Sequence, residues 1–322
     1  MVTYLVTGGA GFIGSHLAEA LVKRGETVRV VDNFATGSRN NIAPLEGRVE
    51  VFERDITKPD QLPDVFQGVD YVLHQAAIPS VPRSVADPLN CHENCATGTL
   101  NVLIAARDAG VKRVVYAASS SAYGDADSEF KSEDMAPQPL SPYAVAKLSG
   151  EQYCQVFYQV YGLETVAIRY FNVFGPRQDP ASPYSAVIPL FMTAMLAGKA
   201  PTIYGDGTQS RDFTYIENII HGNLLACSAD RERVAGQVIN VACGDSISLL
   251  DLVDALNELL HTSINPTFAP PRKGDVKRSR AAIGKAQELL GYQPVVPFAE
   301  GLARTLEWFR ENPVSVAGNG KE

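Results

Sequence analysis

The chain opens on a short apolar, β-branched run, Val2–Thr7, of the kind that forms a strand covered on both faces. A glycine-rich turn follows, and from Ser15 to Lys23 the apolar positions recur at helical spacing. The rhythm then repeats. Thr27–Val31, Val49–Glu53, Tyr71–His74, Val114–Ala118 and Thr165–Tyr170 read as short strands, and Pro88–Ala109 reads as a helical stretch. Strand–helix alternation predicts an α/β fold with a doubly wound parallel sheet that binds its ligand at the carboxyl ends of the strands. Beyond about Arg177 the pattern changes. Shorter helices over 186–197, 217–229 and 249–261 mix with isolated strands over 202–204, 212–215 and 238–241. These patterns predict a Rossmann domain over 1–177 and a smaller mixed α/β substrate domain over 178–322. Val238–Val241 is expected to return to the main sheet, and the tail to fray from about Val314.

The first turn carries chemistry. Gly8, Gly11 and Gly14 give the spacing GxxGxxG between strand and helix. Such a turn lets the backbone approach a pyrophosphate at the helix N-terminus. Asp32 ends the second strand at the distance a dinucleotide fold requires of its ribose-binding acid. A carboxylate there accepts from a ribose 2′-OH and repels a 2′-phosphate, which favours NAD over NADP; the alternative is a turn Asp before Asn33. Asp55-Ile56 and Ala76-Ala77 follow two further strands, and the small pair would let a flat cofactor pass close to the backbone. Ser119-Ser120-Ser121 ends the fifth strand, as a polar substrate contact or as a plain serine-rich turn.

Ser141 suits a helix N-cap and Pro142 the first helical position. Tyr143 and Lys147 then fall at i and i+4 on one helix face. A fixed ammonium beside a phenol lowers its pKa and makes a general base, unless the pair is merely a solvated helix face. Arg211 and Arg272, with Asp275 following, would suit a diphosphate as a pair; either arginine alone reads as surface.

Composition narrows the partners. A net charge of −8 without a basic block argues against nucleic acid or an anionic membrane, and no apolar run reaches spanning length. The strand-like start without a leader predicts a cytoplasmic protein. Five scattered cysteines suit reduced thiols, and Cys91, His92 and Cys95 read as one turn of a packed helix, with no metal expected.

Taken together, Gly8–Gly14, Asp32, Ser119-Ser120-Ser121, Tyr143–Lys147 and Arg169-Tyr170-Phe171-Asn172 resemble the extended short-chain dehydrogenase/reductase family over nearly the whole chain, and within it the UDP-sugar 4-epimerases. The resemblance implies that Tyr143 is the base, that Lys147 binds the nicotinamide ribose and that Ser119 bonds the sugar 4-OH. It implies NAD contacts from Phe12, Ile13, Asp32, Asn33, Asp55, Ile56, Gln75, Ala76, Ala77, Asn94 and Tyr170. It implies UDP-sugar contacts from Ser80, Arg83, Ser120, Ser121, Asn172, Val187, Tyr204, Arg211, Arg272, Asp275 and Ser279.

Related dehydratases and decarboxylases carry carboxylates after the first serine; Ser120 and Ser121 stand there instead, which leaves epimerisation through a transient 4-keto sugar. In the family a bulky Tyr at the position of Ser279 restricts the enzyme to glucose and galactose. A serine implies room for a 2-acetamido group, hence UDP-GlcNAc/UDP-GalNAc, with UDP-glucose/UDP-galactose also possible. Ser80–Ser84 and Gln178–Pro180 resemble epimerases that favour N-acetylated sugars. The rivals are an epimerase specific for UDP-glucose or UDP-glucuronate, and a non-catalytic NAD-binding regulator, which would typically lack the Tyr or the Lys. A homodimer through the helices near Leu100 and Tyr153 is also implied. One departure is Ala282, where the family commonly has Asp.

Overall fold

A computed structural model describes residues 2–180, 186–271 and 276–313. The strands in chain order are β1 (Thr3–Thr7), β2 (Thr27–Asp32), β3 (Glu50–Glu53), β4 (Tyr71–His74), β5 (Arg113–Ser119), β6 (Glu164–Tyr170) and β7 (Val173–Phe174). They continue with β8 (Thr202–Tyr204), β9 (Ser210–Arg211), β10 (Thr214–Tyr215), β11 (Gln237–Val241), β12 (Ile247–Ser248), β13 (Thr267–Ala269) and β14 (Arg278–Ser279). Seven form one sheet in the order β11-β6-β5-β4-β1-β2-β3, with every pairing parallel. The chain runs outward from β1 to β3 and then restarts at β4 on the other side of β1. Ligands bind at such a switch point.

Burial on both faces explains the apolar runs. Val6, Val30, Val115, Ile168 and Ile239 pack with Leu17 and Leu21 of the Phe12–Lys23 helix and with Ile216 and Ile219 of the Ile216–Ser228 helix. Leu5, Val72, Val114 and Ala167 face the other way, onto Val102 and Leu103 of the Gly98–Asp108 helix and Cys154 and Phe157 of the Pro142–Tyr161 helix. The later helices Val187–Leu196, Leu249–Leu260 and Phe298–Glu311 join the first of these cores through Phe191, Leu252 and Leu306. β11 pairs with β6, Asn240 opposite Arg169.

Two elements depart from the expected pattern. The stretch 88–109 is two α-helices, Pro88–His92 and Gly98–Asp108, joined by a widened π-turn over Glu93–Thr97. Gly98 lies so close to Ile56 that a Cβ would meet its Cδ1 at 2.6 Å. Of the strand expected over 212–215 only Thr214–Tyr215 forms (β10), a separate short strand β9 precedes it, and Asp212 between them turns inward. Its fully buried carboxylate accepts from the amides of Cys243 (3.1 Å), Gly244 (2.9 Å) and Ala281 (3.1 Å).

Candidate active site

The turn after β1 is shaped for close approach. Gly8 adopts φ +67°, and a Cβ there would lie 2.7 Å from the Ala76 amide nitrogen; one at Gly14 would lie 2.1 Å from the Gly8 carbonyl oxygen. Gly11 is the N-cap of the Phe12–Lys23 helix and offers no side-chain cap, so the helix begins on bare backbone amides. Asp32, at the end of β2, is buried; its Oδ2 accepts from the Ala10 amide (2.9 Å) and its Oδ1 from the Phe34 amide (2.8 Å). Burial raises its pKa while those two amides hold it down. Asp32 also lines the cleft described below. A backbone cradle followed by a fixed acid fits a dinucleotide's pyrophosphate and ribose.

The Pro142–Tyr161 helix forms as its sequence dictates. The Ser141 side chain accepts from the Ala144 amide at 3.1 Å, Pro142 occupies the first turn, and Gly162 ends it at φ +72°. Gly150 lets the helix approach β5, where a Cβ would meet the Tyr116 hydroxyl at 2.4 Å. That brings Tyr143 and Lys147 to the sheet edge beside Ser119. The Ser119 Oγ accepts from the Ser121 amide (3.2 Å) and from the Ser121 hydroxyl (2.8 Å). Its own proton is thereby left for Tyr143, and that bond favours the phenolate.

The lowered phenol pKa expected from the Tyr143/Lys147 spacing is overturned. Burial pushes Tyr143 well up, and the neighbouring Cys95 thiol adds to the rise. Lys147 is itself buried, which lowers its own pKa, and its Nζ stands 4.5 Å from the Tyr116 ring centroid. Desolvation of the phenolate therefore outweighs the spacing of the pair.

Beneath them runs a closed hydrogen-bond chain. Thr99 donates to the Cys95 carbonyl (2.7 Å), so its oxygen accepts from His74 Nε2 (3.0 Å). Burial keeps the imidazole neutral, so with Nε2 donating, His74 Nδ1 accepts from Thr7 Oγ1 (2.7 Å), which in turn receives the Ala76 amide (3.3 Å). The neutral ring is thereby the Nε2-protonated tautomer. On the sheet side Tyr170 donates to Asn223 Oδ1 (3.0 Å) and receives Gln75 Nε2 (3.0 Å).

The glycine turn, Asp32, Ser119, Tyr143 and Lys147 line one cleft of about 1600 Å³. On its wall stand Gly8, Gly11, Phe12, Ile13, Gly14, Asp32, Asn33, Ile56, Gln75, Ala76, Ala77, Asn94, Ser119, Ser120, Ser121, Tyr143, Lys147 and Tyr170, together with Arg83, Asn172, Arg211 and Ser279. Four expected residues are not on that wall. Asp55 instead receives Asn33 Nδ2 (3.3 Å) and the Thr57 amide (2.8 Å), Ser80 caps the Val81–Ala86 helix, Val187 begins the Val187–Leu196 helix, and Tyr204 lies on β8. Arg272, Asp275 and the tail from Val314 lie outside the described residues.

Sequence reasoning missed Arg177, Lys131 and Tyr123, which also line the cleft. Arg177 holds a left-handed backbone (φ +66°) and bonds Ser15 and Glu19, fastening the chain after β7 to the helix of the glycine turn. A non-glycine residue in that conformation leaves no mark in the sequence. Among the described residues no cluster of metal-ligating side chains occurs and no helix is long and apolar enough to cross a membrane.

Comparison with known proteins agrees with this geometry. The NAD dependent epimerase/dehydratase family matches residues 4–242. A UDP-glucose 4-epimerase of Mycolicibacterium smegmatis is 37% identical over 95% of this chain and 98% of its own. A UDP-N-acetylglucosamine 4-epimerase from Methanobrevibacter ruminantium, solved with UDP-N-acetylmuramic acid, superposes at a TM-score of 0.92 with 39% identity, covering 97% of this chain and 99% of that one. A UDP-glucuronic acid 4-epimerase from Bacillus cereus, solved with UDP-glucuronic acid and NAD, gives 0.89 with 36% identity, covering 97% and 100%. With its glycine turn, acid and Tyr–Lys pair on one sheet edge, the chain belongs to the NAD dependent epimerase/dehydratase family, aligned end to end with its UDP-sugar 4-epimerases.

Proposed function

We propose that this NAD-dependent enzyme epimerises C4 of a UDP-hexose and accepts UDP-GlcNAc/UDP-GalNAc, with UDP-glucose and UDP-galactose as smaller substrates. The observation that carries the sugar choice is Ser279, a small side chain on the cleft wall. It leaves volume where a tyrosine would stand. The arrangement of Ser119, Tyr143 and Lys147 supports the chemistry. Tyr143 takes the proton of the 4-OH, Ser119 holds that hydroxyl in line, and the Lys147 ammonium opposes the cost of a buried phenolate. When bound, NAD supplies the hydride acceptor at C4, and its positively charged ring favours the phenolate that burial disfavours.

Ser120 and Ser121 carry no carboxylate, so Tyr143 has no acidic partner at those places for elimination or decarboxylation. Gln75 and Tyr170 brace the sheet side of the cleft, and Arg211, one strand from Ser279, is suited to the diphosphate. The test is kcat/KM for UDP-GlcNAc, UDP-glucose and UDP-glucuronate. The expected order places UDP-GlcNAc at least level with UDP-glucose. Turnover of another sugar with none of the acetamido sugars overturns it.

A homodimer accompanies this reading. The Pro142–Tyr161 helix exposes Val145, Tyr153, Val156 and Val160 along one stripe, beside exposed Val85 and Leu89. Such a contiguous apolar face on a charged protein suits a second copy of the chain. The proposed setting is the cytoplasm.

A further inference from the structure

The motif residue Arg169 is absent from the cleft wall, and its surroundings suggest a separate task. On β6 it is buried and binds Glu151 through Nη2 to Oε1 (2.6 Å) and Nε to Oε2 (2.9 Å). Glu151 lies one turn beyond Lys147 on the same face of the helix. The Arg169 guanidinium also lies over the Tyr123 ring, 4.5 Å from its centroid. The Tyr123 hydroxyl in turn donates to Asn240 Oδ1 at 2.7 Å, and both residues are buried.

Asn240 then reaches the substrate side. Its Nδ2 donates to the Lys131 carbonyl (2.9 Å) and the Ala282 carbonyl (3.2 Å), and its amide donates to Glu133 Oε1 (2.7 Å). Lys131 and the chain after Ser279 are already bridged, by the Lys131 amide to the Arg280 carbonyl (2.8 Å) and the Ala282 amide to the Lys131 carbonyl (2.9 Å). A continuous path of contacts, buried as far as Lys131, thus joins the helix of Tyr143 and Lys147 to the strand carrying Ser279. Its contacts with residue 282 are to main chain, so alanine in place of the family's aspartate leaves them intact.

We propose that Tyr123 and Asn240 are positioning residues for sugar selectivity: they fix the Ser279 wall at a set distance from the Tyr143 helix, with Glu151–Arg169 as the anchor. Tyr123 borders the cleft, but its hydroxyl is spent on Asn240 Oδ1, and Asn240 Nδ2 is spent on the Lys131 and Ala282 carbonyls. The coupling energy belongs in KM, where the sugar's substituent meets the wall, more than in kcat. The inference rests on the reading of Ser279 given above.

Tyr123→Phe removes one oxygen and keeps the ring over Arg169. It is expected to change the ratio of KM for UDP-GlcNAc to KM for UDP-glucose about fivefold, the worth of one neutral hydrogen bond, with a smaller change in kcat. Combined with Ser279→Tyr, the effects on KM are expected to be non-additive, since both act on one wall. An unchanged KM ratio, or additivity within about twofold, overturns the proposal. Asn240→Ala is expected to reproduce the Tyr123→Phe ratio; should it not fold, Tyr123→Phe alone decides. If the wild type turns over no acetamido sugar, the substrate reading fails, and the clamp is judged separately by the non-additivity of KM for UDP-glucose.

Discussion

The hydrogen-bond chain under Lys147 makes a sharp prediction about acid stability. His74 is 1% exposed, with both ring nitrogens engaged in a fixed order between Thr7 and Thr99. A second ring proton would point Nδ1–H at the Thr7 hydroxyl, which already receives the Ala76 amide. Burial, with the Lys147 ammonium as the lesser cause, lowers its pKa from 6.5 to about 3. The unfolded chain therefore binds a proton between these values that the folded chain does not. Stability is full above pH 6.5 and is lost as the pH falls toward 3. At 1.36 kcal/mol per unit, His74 alone costs about 1.4 kcal/mol at pH 5.5 and about 2 kcal/mol at pH 5.

His16, lowered to about 4 mainly by burial, adds a loss of the same sign. Urea unfolding at pH 7.5, 6.5 and 5.5, above the range where most carboxylates titrate, measures the slope. His74→Asn keeps a donor and an acceptor but cannot titrate. It is expected to be less stable at pH 7.5 and to have a shallower slope. Identical slopes for variant and wild type would mean that folded His74 takes up its proton freely, and the neutral imidazole beneath Lys147 would be refuted. The consequence for the site is that Lys147 has no second cation under it and can direct its charge at Tyr143.

Other outcomes follow from the same geometry. Tyr143→Phe removes the proposed base and is expected to cut kcat by at least about a hundredfold, while NAD released on denaturing the purified protein is undiminished. Ser279→Tyr fills the cleft wall and is expected to lower kcat/KM for UDP-GlcNAc by about a hundredfold or more relative to UDP-glucose; equal losses for both sugars would remove Ser279 from the specificity argument. Replacing Val156 and Val160 with Glu puts charge into the exposed stripe, and light scattering after size exclusion is expected to shift from dimer to monomer mass. An Asp32→Ala change frees the amides of Ala10 and Phe34 and the proposed ribose contact together, so bound NAD is expected to fall at least tenfold, about 1.4 kcal/mol or more.

What could be read from the sequence was whatever depends on neighbours in the chain. Gly8, Gly11 and Gly14 declare a backbone turn, and at Gly8 and Gly14 no side chain fits, as the 2.1 Å approach at Gly14 makes plain. The sheet strands were legible because burial on both faces demands apolar runs, and the Tyr143 helix because Ser141, Pro142 and Gly162 mark its ends. The phenol's pKa was not legible in that way. A four-residue spacing gives the direction of one charge effect, but the balance depends first on burial and then on Cys95, which raises the pKa, and Ser119, whose hydrogen bond lowers it, from two other places in the chain. The same limit hid Asp212, whose carboxylate serves amides 31, 32 and 69 residues away and so breaks a strand that local pattern runs straight through. It also hid the task of Arg169. Its motif was visible, yet the partners that explain it, Glu151, Tyr123 and, through Tyr123, Asn240, meet only when β6, β11 and the Tyr143 helix are packed together. In a site of this kind the chemistry is written locally, and selectivity depends on long-range contacts that hold one wall against another.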